Sequence, residues 1–143
     1  MTNRRDDPMG IEIRSMAPLF QVFDMPASVT FYRDVLGFTV VSTSPVRGTD
    51  DFDWALLRHG DIEIMLNTAY EQDSRPAMPE PSRFAGHNDA ALYFGCPDVD
   101  AAFAHLQARG VISRAPKVAP YGMKQLYLKD PDGYEICLQW PAS

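Results

Sequence analysis

The stretch Lys129-Asp130-Pro131-Asp132-Gly133-Tyr134-Glu135-Ile136-Cys137-Leu138-Gln139-Trp140 decides how this chain folds. Its first part is a turn. Pro131 presets φ, Asp132 can hydrogen-bond its own backbone, and Gly133 accepts a positive φ. Its second part reads as a strand, because Tyr134, Ile136 and Leu138 alternate with Glu135, Cys137 and Gln139. A weaker copy runs from Arg58 to Asn67, with His59-Gly60-Asp61 as a hairpin turn and Ile62 to Asn67 as the strand.

Upstream of each strand the same order of elements recurs. Ala17 to Phe23 is strand-like, with Pro18 marking a strand start or an edge. Asp24 is a helix N-cap with Pro26 in the first turn, and Met25, Val29, Tyr32 and Leu36 share one helical face. Gly37 ends that helix. Phe38 to Ser44 and Phe52 to Arg58 follow as strands, separated by a loop over 45–51.

In the second half Ala91 to Gly95 is a strand and Asp98 an N-cap. Val99, Ala102, Phe103 and Leu106 form a helical face, and Gly110 closes the helix. Val111 to Arg114 reads as a short strand, 115–121 as a loop with Pro116 and Pro120, and Met123 to Lys129 as a strand. Asp24 and Asp98 stand 74 apart, as do Ile64 and Leu138, while Gly37 and Gly110 stand 73 apart. Each half is therefore strand, helix, strand, strand, strand. Such a unit cannot cover both faces of its own sheet, so two must combine.

The expected organisation is an arm over residues 1–14 and a single domain over 15–143. Module one covers 15–68, a Pro-rich linker 69–86, and module two 87–140. The linker is a candidate lid. At 143 residues and 45% hydrophobic content the chain can bury a core. The net charge of −6 argues against nucleic acid or an anionic membrane as partner and favours a neutral or cationic small molecule. No apolar run approaches a membrane span. Two cysteines, Cys96 and Cys137, are too few for a disulfide framework, so reduced thiols and the cytoplasm are expected.

One face of the strands is apolar enough to pack on helices: Phe20 and Val22; Ile62, Ile64 and Leu66; Leu92 and Phe94; Leu126 and Leu128; Ile136 and Leu138. The other face is mixed. It carries Leu19, Gln21, Trp54, Leu56, Glu63 and Met65 in module one, and Tyr93, Gln125, Tyr127, Cys137 and Gln139 in module two. Aromatic and amide groups on a concave face are what a ligand pocket needs.

The chain resembles the vicinal oxygen chelate superfamily, which includes glyoxalase I, extradiol dioxygenases, and fosfomycin- and bleomycin-resistance proteins. The resemblance rests on Asp24 with Ser28, on Phe31-Tyr32-Arg33-Asp34-Val35-Leu36-Gly37-Phe38, on Asp98-Val99-Asp100-Ala101-Ala102 and on Asp130-Pro131-Asp132-Gly133. It covers Ala17 to Trp140. It implies an α+β fold of two paired βαβββ modules whose sheets curl around a cleft, and a homodimer or a within-chain pairing of modules. It also implies metal ligands on the first and last strand of each module, His or Gln on the first and Glu on the last. Those positions map to Ala17, Glu63, Ala91 and Cys137, where only Glu63 keeps the family's donor.

The resemblance therefore points to the metal-free, bleomycin-resistance-like branch. The expected function is sequestration of a small cationic or aromatic molecule without a cofactor. Glu63 would be the anchoring charge, and Gln21, Gln125 and Gln139 hydrogen-bond partners. The alternative is an enzyme, a lyase, isomerase or epimerase or a dioxygenase-like protein. It would use Glu63 as general base, or would hold a divalent metal through Glu63, Cys137 and His87. A third reading is an interaction module whose cleft is filled by Tyr93, Tyr127 and Trp54 packing on one another. His59 and His105 are expected to be solvated.

Overall fold

The computed structural model describes residues 10–70 and 74–143. Its elements are β1 (Leu19–Val22), α1 (Met25–Thr30), β2 (Thr39–Thr43), β3 (Trp54–His59) and β4 (Ile62–Thr68). There follow α2 (Pro81–Gly86), β5 (Ala91–Gly95), α3 (Val99–Ala108), β6 (Lys117–Val118), β7 (Met123–Lys129) and β8 (Glu135–Pro141). Two four-stranded sheets result, in the orders β1-β4-β3-β2 and β5-β8-β7-β6. In each the first strand pairs parallel with the last, and the other pairings are antiparallel. This is the βαβββ unit, present twice.

Both helices start where their caps predict. The Asp24 carboxylate accepts from the Ala27 N–H at 3.2 Å, and the Asp98 carboxylate from the Ala101 N–H at 2.9 Å. The first helix does not stay α to its end. Phe31–Val35 is a π-helical turn, closed by Leu36 N–H to Phe31 O at 3.2 Å and Phe38 N–H to Tyr32 O at 2.8 Å. The widened turn brings two consecutive aromatics, Phe31 and Tyr32, into the core. Gly37 then reverses the chain at φ 90°.

The core is continuous across the modules. Phe20, Val22, Ala55, Leu57, Ile64 and Leu66 of the first sheet share it with Leu126, Leu128, Ile136 and Leu138 of the second. Aromatic edges bridge them, Phe20 to Tyr134 at 4.7 Å and Phe38 to Phe94 at 6.1 Å between ring centres.

Four sequence expectations change. Val111–Arg114 forms no strand, and only Ser113 bridges to Leu128. The fourth strand of module two is Lys117–Val118, inside the stretch read as loop, paired with Lys124 and Gln125. The linker is not irregular to its end. Its last residues form α2, which continues as a 3-10 turn over His87–Asp89. Phe84 and His87 pack this segment onto the β7–β8 turn. Residues 71–73 of the linker and 1–9 of the arm lie outside the described residues, and 10–14 are exposed without regular structure.

The fourth change is the repeat itself. Leu19 pairs with Met65, whereas Tyr93 pairs with Cys137. If the helix caps set the equivalence, Leu19 matches Tyr93, so Met65 matches Cys137 and Glu63 matches Glu135. The final strands are thus 72 apart, not 74. A slip of two residues keeps every side chain on its own face, so the apolar alternation could not reveal it.

Candidate functional site

The helix-free face of each sheet gathers the residues expected to bind a ligand. In the first sheet Leu19, Met65 and Leu56 form one cross-strand row, and Gln21, Asn67 and Trp54 form the next. Glu63 lies opposite Arg58, whose guanidinium contacts it at 2.6 and 2.9 Å. Glu63 therefore already has a cation from its own chain, which weakens its assignment as the charge that anchors a guest.

In the second sheet Tyr93, Cys137 and Tyr127 form one row and Gly95, Gln139 and Gln125 the next. These side chains bond to one another. The Tyr93 and Tyr127 hydroxyls lie 3.3 Å apart. The Tyr127 hydroxyl donates to Gln125 Oε1 at 3.2 Å, and Gln125 Nε2 donates to Gln139 Oε1 at 2.9 Å and to the Tyr121 hydroxyl at 2.8 Å. The Tyr127 phenol is held above its ordinary value, first by its hydrogen bond to Tyr93. The Arg114 guanidinium sits 5.2 Å from the centre of the Tyr127 ring. Sequence reading missed Tyr121 and Arg114, because both lie outside the strands whose alternation marked the face. It also passed over Arg58 as a partner of Glu63.

The faces stay open within one chain. Tyr93 is 52% exposed and Leu19 44%. No hydrogen bond among the described residues runs from one cluster to the other. Tyr93 and Tyr127 meet edge-on at 6.3 Å, but Trp54 belongs to the other sheet, so the three aromatics do not fill one cleft.

The donor set does not fit a divalent metal, which needs about three protein donors. Ala17 and Ala91 bring no donor atom. Glu63 and Cys137, expected as equivalent last-strand donors, are not equivalent. The register matches Glu63 to Glu135 and Cys137 to Met65, which is no hard donor, and burial pushes the Cys137 thiol up. His87 does not lean into the cleft. Its Nδ1 donates to the main-chain carbonyl of Asp132 at 2.6 Å, and its ring stacks on Tyr134 at 3.8 Å. His105 donates from Nε2 to Val35 O at 2.9 Å, and His59 lies edge-on to Phe38.

The turn that organises the fold does more than reverse the chain. Asp132 does not bond its own backbone. Its carboxylate crosses to module one, accepting from the Phe23 N–H at 2.7 Å and the Ser28 hydroxyl at 3.2 Å. Asp130 accepts from the Tyr32 hydroxyl at 2.6 Å and, at its other oxygen, from the N–H groups of Asp132 and Tyr134, both at 2.9 Å. Gly133, at φ 83°, closes the turn. These contacts hold the two modules, and with them the two faces, in a set relation.

Residues 16–138 match the model of the Glyoxalase/Bleomycin resistance protein/Dioxygenase superfamily. YaeR of Escherichia coli K12, described only as uncharacterized, is 33% identical over 114 residues, which are 79% of this chain and 84% of that protein. Among solved structures, TnmS3, an antibiotic binding protein from Streptomyces sp. CB03234, is 30% identical. The match covers 92% of this chain and 100% of that one, with a TM-score of 0.64. A glyoxalase/bleomycin resistance protein/dioxygenase from Nocardioides has the same fold, with a TM-score of 0.69 at 18% identity over 95% of this chain and 89% of that one.

Proposed function

The chain belongs to the Glyoxalase/Bleomycin resistance protein/Dioxygenase superfamily, and from that premise we propose that it binds a small aromatic molecule against the helix-free faces of its sheets. The observation that carries this reading is the bonded group Tyr93–Tyr127–Gln125–Gln139. It presents ring faces and amide edges on a sheet surface that no helix covers. Rings supply stacking area, and amides supply hydrogen bonds without a fixed charge. TnmS3, similar over most of both chains, is an antibiotic binding protein. Ala17, just before β1, and Ala91, at the start of β5, offer no side-chain atom to hold a metal.

Because each face is open in a single chain, we infer that a second copy completes the cleft, placing module one of one chain over module two of the other. Sedimentation should then give twice the 16.0 kDa of the chain, and a monomer at binding-competent concentrations would overturn this closure.

The ligand reading is tested with two tricyclic probes, neutral acridone and cationic 9-aminoacridine, followed by quenching of tryptophan emission. Both are expected to bind, with Tyr127→Ala weakening each about tenfold, the equivalent of about 1.4 kcal/mol of lost ring contact. Glu63→Gln is expected to change the two alike, because Arg58 already answers that charge. Unchanged affinity in Tyr127→Ala would remove this face from the site.

A further inference from the structure

The two helices meet the opposite module in corresponding places. With Asp24 and Asp98 as caps, Phe23, Ser28 and Tyr32 of the first helical segment correspond to Pro97, Ala102 and Leu106 of α3, each pair 74 apart. The first three supply the N–H, the hydroxyl and the phenol that bind Asp132 and Asp130. Their counterparts supply none: proline has no N–H, and alanine and leucine have no polar side-chain atom.

The partner element differs in step. Five residues, Asp130 to Tyr134, join β7 to β8 and fill the crevice against the first helix. Only Gly60 and Asp61 join β3 to β4, and that turn does not reach into the crevice against α3. What remains is a pocket of about 330 Å3, walled by Phe38, Ile62, Phe94, Ala102, Leu106 and Leu138.

We propose that this pocket is a second binding site, distinct from the sheet faces, for a compact uncharged aromatic or hydrocarbon group of about two rings. An apolar cavity of about 150 Å3 holds one benzene ring, so this volume suits two. No carboxylate, lysine or arginine lines the pocket, and its polar side chains are His59, His105 and Cys96. An ion would find no fixed counter-charge there, so an uncharged group is favoured. The Cys96 thiol in the wall behaves as a small apolar group. Burial keeps it protonated. His105, bonded to the Val35 carbonyl, ties α3 to module one along the same wall.

The test uses N-phenyl-1-naphthylamine, a neutral dye that brightens in apolar surroundings. Wild-type protein is expected to brighten it saturably, and Ala102→Phe, which fills the pocket, to weaken binding at least tenfold. In the wild type, saturating dye should slow alkylation of Cys96 by N-ethylmaleimide at least fivefold, read by mass spectrometry. That second measurement decides the matter should the variant fail to fold. Dye binding retained in folded Ala102→Phe, or Cys96 left unprotected, would overturn the proposal. So would a fall in assembly mass in Ala102→Phe without dye, which would seat a second copy in the pocket instead.

Discussion

At one junction between the modules a five-residue turn reaches the first helix, and two buried carboxylates meet a hydroxyl, a phenol and main-chain N–H groups. At the other a two-residue turn stops short of α3, and Pro97, Ala102 and Leu106 face a pocket instead. The repeat thus preserves the backbone plan while its chemistry has diverged. One junction is a directional fastening, in which every donor and acceptor must be in place. The other is mostly apolar contact around a pocket, with the His105–Val35 hydrogen bond as its polar tie, and no buried carboxylate depends on it.

This contrast predicts unequal sensitivity. Tyr32→Phe leaves one oxygen of the buried Asp130 without its 2.6 Å donor and is expected to cost about 2–3 kcal/mol in denaturant unfolding. A loss near zero would show that the phenol does not fasten the modules. Ser28→Ala is expected to cost about 1–2 kcal/mol by the same route at Asp132. The mirror substitution Ala102→Ser should stay within about 0.5 kcal/mol, because the new hydroxyl faces an open pocket rather than a partner. Equal costs at the two positions would break the comparison.

The smallest effect is in pH. Burial holds the Asp130 and Asp132 carboxyls above the ordinary aspartate value despite the hydrogen bonds they accept. A carboxyl raised in the folded state binds its proton more tightly there than in the unfolded chain. Its contribution to stability is therefore fully present below the unfolded value and falls as pH rises through the folded one. Asp132→Asn removes that dependence. The stability of wild type minus that of Asp132→Asn should decrease as pH is raised from the ordinary aspartate value toward neutrality, measured by thermal melts. A difference that grows instead would show that the Phe23 and Ser28 donors outweigh burial.

Much of this architecture was legible from one chain. Caps at Asp24 and Asp98, glycines after each helix and strict alternation in Ile62–Asn67 and Tyr134–Gln139 are local signals, and each corresponds to an observed element. Lys117–Val118 was not legible, because a two-residue strand exists only by virtue of the β7 edge it joins. The two-residue register difference was hidden because alternation has period two. Glu63 was legible as a carboxylate on the ligand face. Its engagement with Arg58 required knowing which residue of β3 stands across from it.

Residue order alone determined that there are two βαβββ units and which side of each strand meets the helices. Those properties follow from periodicity and side-chain identity, and neither depends on distant partners. Tertiary structure decided that Asp130 and Asp132 fasten one module to the other, that His87 is spent on the turn, and that a pocket lies beside α3. Each arises between segments tens of residues apart in sequence, where the length of a turn and the presence of one hydroxyl determine whether two surfaces bond or leave a space.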